Sequence, residues 1–442
     1  MTDKALYWFT RDLRIRDNSL LLKAARESHR LVCVAIVDPV WFQHRLWQRP
    51  AMSPLRWQFL YQSLVDLNQA LQAYGQKLHI FYGSSRKTLV ALIGEHSIDR
   101  LYVSHQAGSF EQGLVKEVQD DLPQLNIHQA DQYTLFNREQ LPFSLEEVPE
   151  SYSKFRKQVE HLPVIKPSAK PLSLPPMPGS IQPLQAQQQP DWLPRPQVLA
   201  PQFKGGITAA AAHIQSYFSS AAPSRYKQLR NELAGWENSS KFSPWLAHGC
   251  VSPRQLKQAL LSYEQAHGEN ESTYWLYVEL LWREYFQWLH YRTGTKLFAF
   301  GGEQGKAPLT TFYPERFRKW CEGETPYALV NACMKELKAT GYLSNRGRQI
   351  AASCLVNELA VDWRYGAAWF EHCLLDYDVA VNWGNWQYIA GVGADPRGGR
   401  HFNLEKQAQQ YDPDKLYQRR WKAQAKPALD SRDAADWPIM PD

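Results

Sequence analysis

Read from the N-terminus, the chain first alternates short apolar runs with amphipathic stretches. Leu6, Tyr7, Trp8 and Phe9 form one run, and residues 31–37, 78–81 and 101–103 form three more. Between them, apolar residues recur at helical spacing over about residues 19–29, 54–74, 86–96 and 110–122. This β-α-β-α alternation predicts an α/β unit: an open, doubly wound parallel sheet with helices on both faces. Ligands of such sheets sit beyond the carboxyl ends of the strands. No Gly-x-Gly-x-x-Gly or Walker A motif is present, so the unit is not an ordinary dinucleotide or P-loop binder by signature.

The pattern then changes twice. Prolines recur from Pro163 to Pro201, with a Gln-rich stretch at 185–189. Proline removes a backbone donor and fixes φ, so regular helix or sheet is excluded there, and the span reads as an extended surface connector or a disordered linker. From about residue 204 the periodicity is helical and stays so, over 209–218, 253–266, 272–291, 326–340, 346–359 and 365–374, with Gly249, Gly294 and Gly341 as stops. The expected organisation is an α/β domain over 1–130, a connector over 131–203 and an all-helical domain over 204–442.

Composition narrows the class. The 442 residues carry a net charge of +6, which permits a polyanionic partner without demanding one. No apolar run reaches the ~20 residues of a membrane span, and no secretory leader is visible at the start. Six scattered cysteines without a CxxC pair fit reduced thiols in a cytoplasmic protein and argue against a structural zinc; no metal site is expected. The unusual feature is 17 Trp beside 22 Tyr and 18 Phe. Most fill a core. Some can stack on flat ligands or bases, or carry electrons.

Several groupings carry candidate chemistry. Asp376 and Asp378 precede Asn382 and a Gly-broken aromatic cluster ending at Tyr388. The stretch is expected to be a loop bent at Gly384, holding two acids and an amide against one flat object, or else an ordinary turn. Ser239, Ser240, Lys241, Phe242 and Ser243 precede Pro244, with Ser243 as the expected N-cap. They read as an anion site or as a plain capped helix. Glu279, Trp282 and Arg283 share one helix face, where Glu279 and Arg283 can pair. Asn345 is a candidate cap, and Arg346, Arg348, Arg397, Arg400 and His401 can line a phosphate track. Trp320, Trp363 and Trp386 sit in separate segments, where core packing is the simplest reading.

Together these segments resemble the photolyase/cryptochrome flavoproteins, most closely the cryptochrome DASH branch. The resemblance runs nearly end to end. It is carried by Trp8 to Arg14 with Asp17 and Asn18, the Phe155-Arg156-Lys157-Gln158-Val159-Glu160 block, Ser240 to Ala247, Glu279 to Glu284, Ser344 to Gln349, and Asp376 to Tyr388.

The resemblance implies a non-covalent FAD in the helical domain. Tyr226, Ser239, Ser240, Lys241, Phe242 and Ser243 would hold its phosphates and ribityl chain. Arg283, Asn345, Arg348, Asp376, Asp378 and Asn382 would surround the ring system. The implied reaction is light-driven splitting of a cyclobutane pyrimidine dimer by an electron lent from reduced FAD, with no net redox change. Glu279, Asn345 and Trp282 would act on the dimer; Arg346, Gln349, Tyr388 and Arg397 would meet the DNA. Trp386, Trp363 and Trp320 would form a hopping chain that reduces FAD from the surface. Tyr388 and Gln349 replace a Trp and a Met of duplex-repairing relatives, so single-stranded DNA is the expected partner of a monomeric protein. A methenyltetrahydrofolate antenna is put in doubt, because Ala107 stands where an acid is expected; Glu111 is the candidate substitute. The alternative function is a blue-light photoreceptor that keeps FAD but does not repair.

Overall fold

The computed structural model describes residues 4–44, 49–179, 190–194, 203–393 and 399–427. The first half is a five-stranded parallel sheet, β1 Lys4–Trp8, β2 Arg30–Val37, β3 Leu78–Tyr82, β4 Arg100–Ser104 and β5 Asn126–Ala130, in the order β3-β2-β1-β4-β5. The inner strands are apolar runs because helices cover both faces: all of Leu31 to Val37 is buried. The strand β5 reads Asn-Ile-His-Gln-Ala, lies at the sheet edge and has no fully buried residue, so its sequence carries no apolar run. The helices Ser19–Glu27, Pro54–Gln72, Ser85–His96 and Ser109–Asp121 fill the crossovers.

The expected connector is more structured than its prolines suggest. Before them, Tyr152–Val159 is a helix capped by Ser151, with Phe155 and Val159 fully buried. Residues 185–189 and Pro196 and Pro201 lie outside the described residues.

From residue 207 onward the described chain is helical. The long helix Glu271–Thr293 is its spine, with Ala222–Leu229, Asn345–Ser353, Trp363–Cys373 and Val379–Ala390 near the site. Asn345–Ser353 runs into a π-helical turn, Cys354–Glu358.

Buried polar groups lock the halves together. The Arg14 guanidinium, 1% exposed, donates to Asp17 O, Gln132 O and Gly249 O. Glu284 accepts the backbone N–H groups of Leu135 (2.8 Å) and Phe136 (3.2 Å) and the indole of Trp288. Gly249 takes a positive φ of 69°, and a Cβ there would lie 1.9 Å from Arg11 O, so only glycine lets the two halves approach so closely.

Candidate active site

The stretch expected to be a loop is a helix. Asp378 is its N-cap, accepting from Val381 N at 3.0 Å, and Val379–Ala390 are helical through Gly384. The glycine is a packing requirement: a Cβ at 384 would lie 2.4 Å from Cδ1 of Phe286 on the spine helix. This close contact sets Asn382 and Trp386 against the spine.

One ion pair and one buried carboxylate organise the pocket floor. Arg348 Nη2 donates to Asp376 Oδ2 at 2.7 Å, while the buried Asp376 Oδ1 has no partner among the described residues. Asp378 accepts from Tyr133 Oη (2.6 Å) and from Gln287 Nε2, 2.8 Å from each oxygen. With the Val381 N–H these make four contacts on about four lone-pair sites, so the carboxylate is fully bonded. Burial alone would raise the Asp378 carboxyl, but Arg283 and Arg11 outweigh it and hold the group ionised below its usual range. Arg283 donates to Tyr133 O at 2.6 Å and stacks 4.0 Å over the Tyr133 ring; its Nη2 is buried without a partner. The Asn382 amide nitrogen donates to Ala367 O at 3.0 Å, which fixes the orientation of the carboxamide.

The alternative pairing of Glu279 with Arg283 is not seen among the described residues. Glu279 is instead ion-paired with Arg230, which also stacks 4.3 Å over Trp275. Arg283 turns to Tyr133, and helix Ala222–Leu229, packed beside the spine, delivers Arg230 at its end. Burial pushes the Glu279 carboxyl up from its ordinary value, and Arg230 only partly opposes this. Trp282 stacks on Tyr152 at 3.6 Å and 12°, and meets Tyr388 edge-on at 6.1 Å. Arg400 lies 4.8 Å over the Tyr388 ring and donates to its hydroxyl.

At the cationic end, Lys241 is buried with a φ of 55°, its ammonium 4.7 Å over the Tyr342 ring. Ser239, Ser240 and Ser243 are half-buried around it, beside the buried Phe242 and Tyr226. Ser243 is not the cap: the helix is Ser243–His248, with Phe242 at the N-cap and no side-chain cap bond. Likewise Ser344, accepting from Gly347 N at 3.2 Å, caps Asn345–Ser353. That leaves the Asn345 side chain exposed at the rim, with Arg346 and Gln349 half-buried beside it. Arg397 lies outside the described residues.

Residues 5–176 match the family described as DNA photolyase, and residues 275–437 match the FAD binding domain of DNA photolyase. The chain is 48% identical over 438 residues to the cryptochrome DASH of Idiomarina loihiensis, covering 98% of this chain and 96% of that protein. It is 47% identical over 440 residues to that of Vibrio parahaemolyticus, covering 98% and 97%. The chain belongs to the cryptochrome DASH branch of the photolyase/cryptochrome family. Among solved structures, the Synechocystis cryptochrome matches with a TM-score of 0.90 at 38% identity, covering 95% of this chain and 88% of that one. A bacterial class III photolyase from Agrobacterium tumefaciens matches with a TM-score of 0.78 at 26% identity, covering 95% and 86%.

This DASH protein therefore carries an FAD-binding domain, and its pocket chemistry fits that cofactor. Lys241 is a buried cation with no carboxylate within salt-bridge distance among the described residues, which suits a pyrophosphate. The unpartnered Asp376 Oδ1 and Arg283 Nη2 supply an acceptor and a donor at the acidic end.

The three expected hopping tryptophans do not reach the surface. Trp320 and Trp363 are 0% exposed and Trp386 is 2% exposed. Trp320 is held inside because its indole N–H donates to Ala351 O at 2.9 Å, with Phe317 and Phe370 against its ring.

Four residues of the site escaped the sequence reading. Arg230 and Tyr133 come from distant segments, and Tyr152 comes from the stretch assigned to the connector. Gln287 had a signal: it lies four residues after Arg283 on the same helix face.

A second recess, a cavity of about 560 Å³, lies where the carboxyl ends of β1 and β2 face the helical half, lined by Thr10, Val37, Arg56, Glu111, Tyr377 and Trp383 among others. Ala107 is buried beside it, and the Glu111 carboxylate folds back over Gly108. No helix among the described residues is long and apolar enough to cross a membrane.

Proposed function

We propose that this protein is a light-driven, FAD-dependent photolyase that repairs cyclobutane pyrimidine dimers, preferentially in single-stranded DNA. The observation that carries the reading is one turn of the spine helix. There Glu279 is held by Arg230 and Trp282 meets Tyr388, while the adjacent Arg283 serves the Asp378 side of the pocket. A substrate acid and a cofactor cation on consecutive turns bring dimer and flavin to one wall.

Reduced FAD, when bound, supplies the electron that opens the cyclobutane ring. Lys241 and the serines at 239, 240 and 243 would hold its phosphates, and Tyr226 and Phe242 would pack beside them. Arg348, Asp376, Asp378 and Asn382 would fix its ring end. Asn382, being neutral, can accept a ring proton donor without repelling a reduced, anionic ring. Burial raises the Glu279 carboxyl from its ordinary value while Arg230 opposes the shift, and the side chain would hydrogen-bond the dimer and stabilise charge arriving there. Asn345 would bond the pyrimidine edge and Trp282 pack on it, with Arg346, Gln349 and Arg397 toward the strand.

The strand preference follows from how little free aromatic face is left. A dimer must leave the duplex stack, at a cost of about a few kcal/mol. Base–aromatic stacking returns about 1–3 kcal/mol per base. Tyr152 covers one face of Trp282, and Arg400 covers one face of Tyr388. Single strands, already unstacked, need less repayment.

The relatives' folate antenna would lack its expected acid at Ala107, with Glu111 as the remaining carboxylate at the cavity. The reading is tested by irradiating reduced protein with dimer-containing oligonucleotides. Wild type should restore intact pyrimidines, faster on single strands. Glu279→Ala should bind FAD and DNA but not repair. Flavin binding without repair in the wild type would favour a photoreceptor; equal rates on both substrates would refute the strand preference.

A further inference from the structure

A chain of redox-active side chains that exchanges electrons with solvent needs an end that solvent reaches. None of Trp386, Trp363 and Trp320 provides one, since all are sealed inside the helical half. Trp363 has another neighbour. Its ring lies 5.8 Å from that of Trp383, at 77°. Trp386 is one turn further along the helix of Trp383, and its ring edge packs on Gly366, one turn into the helix that begins at Trp363.

Unlike the other three, Trp383 is only half-buried. Its ring packs edge-on against Phe298 at 5.0 Å, and its Nε1–H donates to Tyr377 Oη at 3.2 Å. All three rings line the 560 Å³ cavity between the halves. Phe110, 58% exposed, stands in the same cavity wall, so the cavity communicates with solvent.

We propose that Trp383 is the terminal electron relay of this protein, and that the cavity between the halves is the port through which a small soluble thiol refills it. The proposal rests on the reading that FAD is bound beside Asn382 and Trp386. On illumination of the oxidised form, one electron leaves Trp386 for the flavin. Trp363, whose helix the Trp386 ring packs against at Gly366, refills Trp386, Trp383 refills Trp363 across 5.8 Å, and the thiol in the cavity refills Trp383. Per event the flavin gains one electron and the thiol loses one. Two events join two thiols in a disulfide and release two protons.

The surroundings keep the vacancy on Trp383. Oxidation of a phenol requires loss of its proton, and burial pushes the Tyr377 phenol well above its ordinary value. Arg56 lies 4.4 Å over the Tyr377 ring and Arg11 6.0 Å, so positive charge is disfavoured there. Tyr377 thus serves as acceptor for the indole N–H rather than as the next donor. On the other side, besides Trp386 itself at 6.2 Å, the ring neighbours of Trp320 among the described residues are Phe317 and Phe370, which are far harder to oxidise.

Two measurements test this. Trp383→Phe should retain FAD but lose thiol-supported photoreduction, read as bleaching of the oxidised flavin band, while Trp421→Phe photoreduces like wild type. In the wild-type chain illuminated in air without thiol, mass spectrometry should find oxygen adducts on the peptide containing Trp383 and none on Trp320. The second measurement needs no variant, so it stands even if Trp383→Phe fails to fold. Normal photoreduction in Trp383→Phe, or adducts on Trp320 or Tyr365 instead, would overturn the proposal alone. Undiminished photoreduction in Trp386→Phe would overturn the flavin placement and the proposal with it.

Discussion

Replacing Gly384 by alanine decides whether the floor of the pocket is held by packing or by helix preference. In a helix interior, glycine costs about 0.8–1.0 kcal/mol relative to alanine. If backbone preference governed residue 384, Gly384→Ala would stabilise the protein by that amount. The geometry says otherwise. The new Cβ would stand 2.4 Å from Phe286 Cδ1 and 2.8 Å from Cε1, more than 1 Å inside ordinary carbon contact at about 3.5–4.0 Å. Phe286 cannot easily retreat: it is 4% exposed, with Trp282 at 5.8 Å and Tyr285 at 5.6 Å. Overpacking of this kind costs about 1–3 kcal/mol, so after the helix gain the net effect is a loss of up to about 2 kcal/mol. Gly113 is the control. It lies inside the helix Ser109–Asp121 with nothing within 4 Å of its would-be Cβ, so Gly113→Ala should gain up to about 1 kcal/mol. The same chemical change should therefore move the urea midpoint in opposite directions, at unchanged slope. Phe286→Leu should recover part of the loss in Gly384→Ala. A Gly384→Ala protein as stable as wild type, or more so, would show that Phe286 yields and that close approach is not why glycine stands there.

Two further outcomes are expected. Burial lowers His105, His290 and His372 to about 4 and His248 to about 3, all below the ordinary 6.5. The unfolded chain then binds more protons in this window, so stability is complete above about pH 6.5 and falls toward pH 4, by up to about 1.4 kcal/mol per pH unit for each histidine. Both ring nitrogens of His290 are buried without hydrogen-bond partners among the described residues, so His290→Leu should keep stability near pH 7 and flatten the acid slope of the urea midpoint; an unchanged slope would refute this assignment. Tyr388→Trp should narrow the gap between single- and double-strand repair rates, because a larger ring repays more of the unstacking cost; a widened gap would count against the wall as the source of strand preference.

What could be read from the sequence follows from how each signal is generated. Strands β1 to β4 were legible because burial writes them as apolar runs, even β3 at one edge, whereas β5 at the other edge has no fully buried residue and reads as polar. The groupings of the pocket were legible from residue type and spacing, their roles only through resemblance, and their contacts not at all. The ion pair of Glu279 comes from Arg230, 49 residues upstream, and no local period announces a partner at that distance. Tyr152 was hidden for a different reason: a helix of eight residues precedes a proline-rich run and was absorbed into it. The helix Val379–Ala390 was misread as a bent loop because glycine inside an aromatic cluster is the mark of a turn. Here the missing side chain marks the close crossing of two helices, a property of the partner surface and not of the local sequence.

That helix also explains why one short stretch bears so many functional side chains. Asn382 and Trp386 are four residues apart and share one face, Asn382 bonding Ala367 O and Trp386 packing on Gly366 of the same neighbouring helix. Val379 and Trp383 are also four apart, on a face rotated by about 100°, and both line the cavity against the sheet half. Asp378 caps the helix and is bonded by Tyr133 and Gln287, so both halves of the chain fix its N-terminus. A loop bent at Gly384 would have presented one surface. A helix presents two, and any shift of its axis moves the Asn382 amide and the Trp383 indole together. The tight crossing at Phe286 is therefore a constraint on both sites at once: relaxing it by Gly384→Ala should disturb thiol-supported photoreduction as well as stability.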